Sequence, residues 1–415
     1  MRIAIFTDAY WPRVNGVSVS IDAFSHALLR LGHKVLIVCS EYPESMDVGR
    51  LVREEADDAG PQPEIIQVSS FEFAISKEDR IAYAHKVFWV SRQVEAFAPD
   101  IIHLNSEFII ANFGSYCAKR LKLPVVYTLH TLWEEYGLQY FPVFPAPVVR
   151  FIAKCVFKYV LTRCNVVIAP TAQVIDVIKR YKVKKETFLL PTGIDPKYLT
   201  FSPEQKEVFR RKMIELHPSL AGKRILLFAG RLTREKNVAF LLNLLPAVFE
   251  KHDDAVLLIA GNGPCHDELM RLSAARGIRE RCVFTGYLDR TDLGLAYAMS
   301  YMLVFPSLTE TQGLVTIEAM YSGLPVVAIG SMGTLMVMNG DNGGFMVKND
   351  AGEFAARVLE LLEDGDLYAR KAFEAKLHAG AWLIDSMALK LLDIYRHTIE
   401  RYGRASNPSD SPSHS

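Results

Sequence analysis

Short apolar runs recur along this chain, with amphipathic stretches of helical length between them. Arg2 to Thr7 reads as a strand, Val17 to Leu31 as an amphipathic helix, and Lys34 to Cys39 as the next strand. Residues 41–63 are acidic and carry Gly and Pro, which reads as loop and edge strand. Glu78 to Phe97 and Val148 to Arg163 read as helices, and Asp100 to Leu104, Val125 to His130 and Val166 to Pro170 as strands. Strands that alternate with helices imply a parallel sheet covered on both faces. The pattern restarts after the turn residues Pro191 to Pro196, with strands at Arg224 to Ala229, Ala255 to Ala260, Val283 to Thr285, Tyr301 to Phe305 and Pro325 to Ile329. The expectation is an α/β chain of two doubly wound domains, residues 1–195 and 196–380, with a linker in 191–220. Two helices follow the second sheet, Asp366 to His378 and Ala381 to Tyr402. The final helix occupies 381–403, and the Ser/Pro-rich tail 404–415 reads as disordered.

With 415 residues, half of them apolar, the chain can fill two cores. Lys plus Arg and Asp plus Glu both number 47, so there is no global signal for nucleic acid. The balance is local, however. Lys119 to Lys185 holds twelve basic residues against three acids, a net +9 that calls for an anionic partner or a structural reason. Six scattered cysteines without a C-x-x-C pair argue against a zinc knuckle or disulfide framework and for a reducing, cytoplasmic compartment. No signal peptide is expected at the N-terminus, and no apolar run reaches the roughly 18 residues of a membrane span.

Glu310 and Glu318 lie eight apart, with Gly313 between them, in the segment from Ser307 to Ala328. The buried run at Tyr301 to Phe305 ends at Pro306, and Thr316 to Tyr321 reads as a helix stopped by Gly323 and Pro325. Glu310 therefore belongs to a strand-to-helix loop, and Glu318 lies just inside the helix. In an open α/β sheet such loops are at the carboxyl ends of the strands, where ligands bind. Carboxylates there accept hydrogen bonds from sugar and ribose hydroxyls. The spacing alone fits two ordinary surface glutamates equally well.

Phe228 to Val238 reads F-A-G-R-L-T-R-E-K-N-V, so Gly230, Arg231 and Lys236 come between a buried strand and a helix. Two cations beside free backbone N–H groups make a phosphate site, and two solvated loop residues are the plain alternative. Gly16 lies in the loop after the first strand, where a glycine lets backbone approach a ligand. The loop is not G-x-G-x-x-G and no acid is placed for a dinucleotide ribose, which counts against an NAD enzyme. His130 ends a strand and opens H-T-L-W-E-E-Y, with Glu134 and Tyr136 after it. It is either a cleft-facing side chain or a satisfied core histidine. His103 and Glu107 follow another strand. Gly263, in G-N-G-P, and Tyr287, in T-G-Y-L, lie in two further strand-end loops. Asp364-Gly365-Asp366 is a formal D-x-D, but it reads as a surface turn and not as a metal site. Arg150, Lys154 and Lys158 recur every four residues and so form one basic stripe on the helix from Val148. Val148, Phe151, Ile152, Cys155, Val156 and Tyr159 fill the rest of it. That is either a helix lying on an anionic membrane or a core helix with a solvated basic edge.

The window around Glu310 resembles the E-x7-E motif of retaining glycosyltransferases of family four, which have the GT-B fold. Its T-E-T-Q-G-L-V form and the H-T-x-x-E-x-Y string are similar to the branch that glucosylates diacylglycerol. G-R-L-x-x-E-K-N resembles that family's diphosphate clamp, and nearly the whole chain is covered by such correspondences. The resemblance implies two facing Rossmann-like domains with ligands in the cleft, and a last helix crossing back to the first domain. It implies nucleotide-sugar contacts at Gly16, Arg231, Lys236, Gly263, Tyr287, Glu310, Gly313, Leu314 and Glu318, with Glu310, His130, Arg231 and Lys236 closest to the chemistry. Glu134, Tyr136, Arg150, Lys154 and Lys158 fall on the acceptor or membrane side. The implied enzyme moves a hexose, glucose in that branch, from UDP-glucose to a glycerolipid at the inner face of the cell membrane. No cofactor and no metal are expected, because the cationic clamp replaces a metal. The sequence leaves open a GDP-mannose-dependent mannosyltransferase, a soluble-acceptor synthase and a non-catalytic sugar-nucleotide-binding module, and it leaves the oligomeric state unassigned.

Overall fold

The computed structural model describes residues 1–13, 15–43, 60–73, 76–130, 145–310, 312–338 and 342–403, apart from the side chains at 73, 76–79, 146, 150 and 332. The chain divides into two compact units, Met1–Gly193 with the segment from Ile384 onward, and Ile194–Leu383.

The first unit contains β1 (Arg2–Thr7), β2 (Lys34–Ser40), β3 (Glu64–Val68), β4 (Ser70–Phe73), β5 (Ser76–Ala82), β6 (Ile101–Leu104), β7 (Val125–Thr128), β8 (Val166–Ala169) and β9 (Glu186–Leu189). Seven of these form one sheet in the order β3-β2-β1-β6-β7-β8-β9, every pair parallel. Its central strands are largely apolar because helices cover both faces. The order reverses between β1 and β6, so the loops after Thr7 and Leu104 diverge there and open a crevice.

The second unit repeats the plan with β10 (Arg224–Ala229), β11 (Ala255–Ala260), β12 (Cys282–Gly286), β13 (Met302–Phe305), β14 (Val326–Ile329) and β15 (Gly344–Val347). The order is β12-β11-β10-β13-β14-β15, again all parallel. Here the reversal lies between β10 and β13, so the crevice is flanked by the loop carrying Arg231 and Lys236 and the loop carrying Glu310.

The last helix, Ile384–Tyr402, returns to the first unit, as the resemblance implied. It buries Met387, Leu391 and Tyr395 in one apolar cluster with Ile3, Ile5 and Ile21. Arg30 pairs with Asp385 at 2.6 Å at its start.

Two expectations are corrected. The helix expected from Glu78 begins only at Val87. Residues up to Ala82 form β5, the second arm of an antiparallel hairpin with β4 in which Phe71 faces Ile81 and Glu72 faces Arg80. The Arg80 guanidinium fastens the hairpin by donating to the Ser70 side chain and carbonyl. The expected linker 191–220 contains a helix, Pro203–Leu216. Ser202 and Gln205 form its capping box, Pro203 opens it, and Phe209 and Met213 bury its inner side in the second unit.

The β10 and β11 loops touch through glycine. Gly261 has φ +148, and a Cβ there would lie 1.9 Å from the Gly230 carbonyl oxygen. Gly261→Ala is expected to force those loops apart at a cost of about 1–3 kcal/mol, the usual range for overpacking. The change is read as a lower denaturant midpoint at constant slope, and a midpoint equal to wild type would show that the approach is not constrained.

Candidate active site

Main-chain hydrogen bonds lace the strand-end loops of the second unit together. Gly230 N–H donates to Ala260 O, Leu232 N–H to Asn262 O, Cys265 N–H to Leu232 O, and Gly261 N–H to Gly286 O, all between 2.8 and 3.0 Å. Leu308 N–H donates to Glu235 O at 3.0 Å, which ties the β13 loop to the β10 loop. Gly333 N–H then reaches Glu310 O at 2.6 Å and joins the loop after β14. A segment with polar backbone and no ladder of its own has been given partners from neighbouring loops.

This lacing carries the predicted residues. Arg231 follows Gly230 and is exposed. Lys236 closes a short 3-10 turn, Arg234–Lys236, directly before the helix Val238–Lys251. Its Nζ donates to Glu310 Oε2 at 2.6 Å and lies 5.7 Å from the centre of the Phe305 ring. Both partners of that ion pair are largely shielded. Their separation of 74 positions in sequence is bridged because β10 and β13 are neighbours in the sheet.

Gly313 caps the helix Leu314–Tyr321 in the left-handed region, φ +74, where a side chain is strained. It is buried, whereas Leu314 is partly buried at the first turn. Glu318 lies one turn further on and is also partly buried, and its Oε2 accepts the Tyr297 hydroxyl at 3.0 Å. Burial raises the Glu318 carboxyl pKa, while the Arg290 charge and the Tyr297 hydrogen bond act in the opposite direction. Gly263 packs on the Leu232 backbone, so its lack of a side chain serves loop packing. Tyr287, after β12, is 63 % exposed. Asp364 caps the helix Gly365–Ala379, accepting from Leu367 N–H at 2.9 Å, so the D-x-D expected as a surface turn is a helix start. No group of three or more His, Cys, Asp or Glu placed to hold a metal exists among the described residues.

In the first unit, Gly16 is the first residue of the helix Gly16–Arg30, whose capping box joins Asn15 and Ser18. His130 follows β7, and its Nε2 is 2.9 Å from Asn105 Oδ1 in the loop after β6, so it lies at the reversal side of this sheet. His103 is not a strand-end contact. It is buried inside β6, with Nδ1 2.7 Å from the Tyr395 hydroxyl and Nε2 2.7 Å from Thr128 Oγ1. Glu107 accepts the buried Tyr127 hydroxyl at 2.7 Å. A cavity of about 20 Å³, room for roughly one water, is bordered by His103, Asn105, Thr128, His130 and Tyr395.

The basic helix spans Ala146–Leu161. Val149, Ala153, Phe157, Val160 and Leu161 are buried, so the helix does pack on its unit. Its other side nevertheless presents Phe151 (67 % exposed), Ile152 (55 %) and Tyr159 (50 %) beside exposed Lys154 and Lys158. Glu134 and Tyr136, and the side chain of Arg150, lie outside the described residues. No described helix is long and apolar enough to cross a membrane.

Residues 14–198 match the sequence family described as Glycosyltransferase Family 4, and residues 209–377 match Glycosyl transferases group 1. The chain is 32 % identical over 346 residues to the alpha-monoglucosyldiacylglycerol synthase of Streptococcus pneumoniae, covering 80 % of this chain and 71 % of that one. The chain belongs to glycosyltransferase family four. A second synthase of that name, from Acholeplasma laidlawii, is 23 % identical over 418 residues, covering 98 % of this chain and all of the relative. Among solved structures, Anabaena HepE in complex with UDP and glucose superposes with a TM-score of 0.75 at 16 % identity, over 96 % of this chain and all of that one. The two parallel-sheet units are those of the GT-B fold, and the protein is a glycosyltransferase. Residue by residue, sequence reasoning missed Tyr297, Arg290 and Asn105, and of these only Asn105, a polar side chain directly after a strand, carried a signal in the sequence.

Burial lowers the pKa of His130 to about 4 and, with a contribution from the His130 charge, that of His103 to about 3, against an ordinary 6.5. Above pH 6.5 both are neutral whether the chain is folded or unfolded. Between pH 6.5 and about 4 the unfolded chain takes up protons that the folded chain refuses, so stability falls as the pH drops. A histidine NMR titration should find two imidazoles still neutral at pH 5. Either ring charging near pH 6.5 would contradict the enclosed geometry.

Proposed function

We propose that this glycosyltransferase is a retaining hexosyltransferase that moves glucose from UDP-glucose to a membrane glycerolipid such as diacylglycerol, without a metal. The observation that carries the reading is Lys236 and Glu310 brought to 2.6 Å at the strand-order reversal, with Glu318 on the adjoining helix. One loop supplies cations for a diphosphate, and the other supplies carboxylates for hydroxyls. Arg231 and Lys236 offset the charge that develops on the leaving diphosphate. Glu318 holds the ribose and Glu310 the hexose hydroxyls. His130 is the sugar contact that the family resemblance implies, and as a neutral imidazole it brings no charge. The bond from the anomeric carbon to the diphosphate oxygen breaks as the acceptor oxygen bonds on the same face. The acceptor's hydroxyl proton passes to a diphosphate oxygen, and UDP leaves. The two synthase relatives support glucose and a lipid acceptor.

The test is incubation with UDP-glucose, GDP-mannose and other sugar nucleotides, in excess chelator, with diacylglycerol vesicles. An α-glucosyl lipid from UDP-glucose is expected, identified by mass and anomeric NMR coupling. Transfer from GDP-mannose alone would favour the mannosyltransferase, and loss in chelator with rescue by manganese would reject the metal-free route. Arg231→Ala should keep the fold and lower turnover by a factor corresponding to about 2.7–4 kcal/mol. Turnover within threefold of wild type would remove Arg231 from the clamp.

For the acceptor, the apolar and basic outer side of helix Ala146–Leu161 supports attachment to an anionic leaflet, each cation adding about 1 kcal/mol. The protein should cosediment with vesicles rich in anionic lipid and be released by high salt. Lys154→Gln with Lys158→Gln should weaken that binding and lipid glycosylation together, while sparing a short water-soluble acceptor. Equal loss on both acceptors would assign the stripe to folding instead.

A further inference from the structure

Tyr297 is fully buried in the helix Arg290–Met299, and its hydroxyl donates to Glu318 Oε2 at 3.0 Å. A buried phenol must find an acceptor, and any main-chain carbonyl would serve a purely structural need. This one takes a carboxylate. Arg290 opens the same helix, seven residues and two turns before Tyr297, with its guanidinium 4.1 Å from the Tyr198 ring centre, and its charge acts on Glu318. One face of one helix thus offers the carboxylate both a hydrogen bond and a cation.

The consequence lies in what remains of Glu318. A carboxylate has two oxygens and about four lone-pair directions. Fixing Oε2 from the buried side stops rotation about the terminal side-chain bond and leaves Oε1 as the oxygen able to receive hydroxyls. The carboxylate is set before the ligand arrives, so the ordering entropy of a glutamate side chain is not lost on binding.

We infer that Tyr297 is a positioning residue that, through Glu318, gives this enzyme its selectivity for the ribose diol of the nucleotide. The inference rests on the reading of Glu318 as the ribose contact. A nucleotide lacking both ribose hydroxyls gains nothing from the arrangement. Discrimination between ribose and dideoxyribose therefore reports Tyr297 in a way that packing alone cannot.

The test uses the full chain and titration calorimetry with UDP and 2′,3′-dideoxy-UDP. Wild type is expected to bind UDP more tightly. Tyr297→Phe should weaken UDP about tenfold, the scale of one hydrogen bond to a charged group, and leave dideoxy-UDP unchanged, so the preference collapses. KM for the nucleotide sugar should rise with kcat nearly constant. In a double-mutant cycle Tyr297→Phe should add nothing to Glu318→Gln. Replacement of Tyr297 by 4-fluorophenylalanine fills the hydroxyl's space without donating a proton. It should give the same collapse, and it serves where Tyr297→Phe folds poorly. If the Tyr297 variants keep the wild-type preference while Glu318→Gln loses it, Tyr297 only packs and the inference is overturned. If Glu318→Gln also keeps the preference, the ribose reading of Glu318 fails, and the inference with it.

Discussion

Hydrogen bonds between loops at the carboxyl ends of β10 to β14 hold the second unit's chemistry in place. Each loop lacks a ladder, yet each finds main-chain partners in its neighbour, from Gly230 with Ala260 to Gly333 with Glu310. The approach of Gly261 to Gly230 requires the absence of a side chain at Gly261. Lys236 and Glu310 are therefore presented by a mesh and not by two independent flexible loops. That matters for charges, because an ion pair on floppy supports contributes little, whereas one held by its backbone keeps its geometry without a further entropy cost.

The strand-order reversal decides which residues meet. Arg231 and Lys236 follow β10, Glu310 follows β13, and these strands are adjacent only because the sheet is wound outward in both directions from that pair. A meander would have separated them. The first unit shows the same logic with different chemistry. Its reversal lies between β1 and β6, and Asn105 from the β6 loop reaches His130 after β7.

Much of this was legible in the sequence, for identifiable reasons. Arg224–Ala229 and Ala255–Ala260 were expected with the bounds they have, since parallel strands covered on both faces are unbroken apolar runs. The hairpin β4-β5 was not. The run from Glu78 to Ala82 sits just before a real helix, and only its cross-strand partner shows it to be extended. The segment 191–220 looked like a linker for its turn residues, although Ser202, Pro203 and Gln205 spell a helix start. In the site, the motif carboxylates and cations could be named because charged residues at strand ends stand out. The Lys236–Glu310 contact could not, since it exists only through the sheet order. Tyr297 was hidden for the opposite reason, because a tyrosine inside a helix looks like packing until its partner is seen. His103 could be named, but its place inside β6 with Tyr395 and Thr128 as partners could not.

The two units also divide the electrostatic work. In the second, opposite charges face the motif carboxylates, with Lys236 on Glu310 and Arg290 acting on Glu318, so carboxylates can be kept in a partly dry place. In the first, burial drives His130 and His103 toward the neutral form, and Asn105, Thr128 and the Tyr395 hydroxyl are uncharged partners. The closing helix has a direct part in this, since Tyr395 is one of its residues and holds His103 in place. A chain end that returns to its first domain thus does more than bury Met387 and Leu391. It completes the hydrogen bonding of a histidine that would otherwise carry an unmet buried nitrogen beneath the strand-end loops, where an orphaned polar group costs about 1–3 kcal/mol.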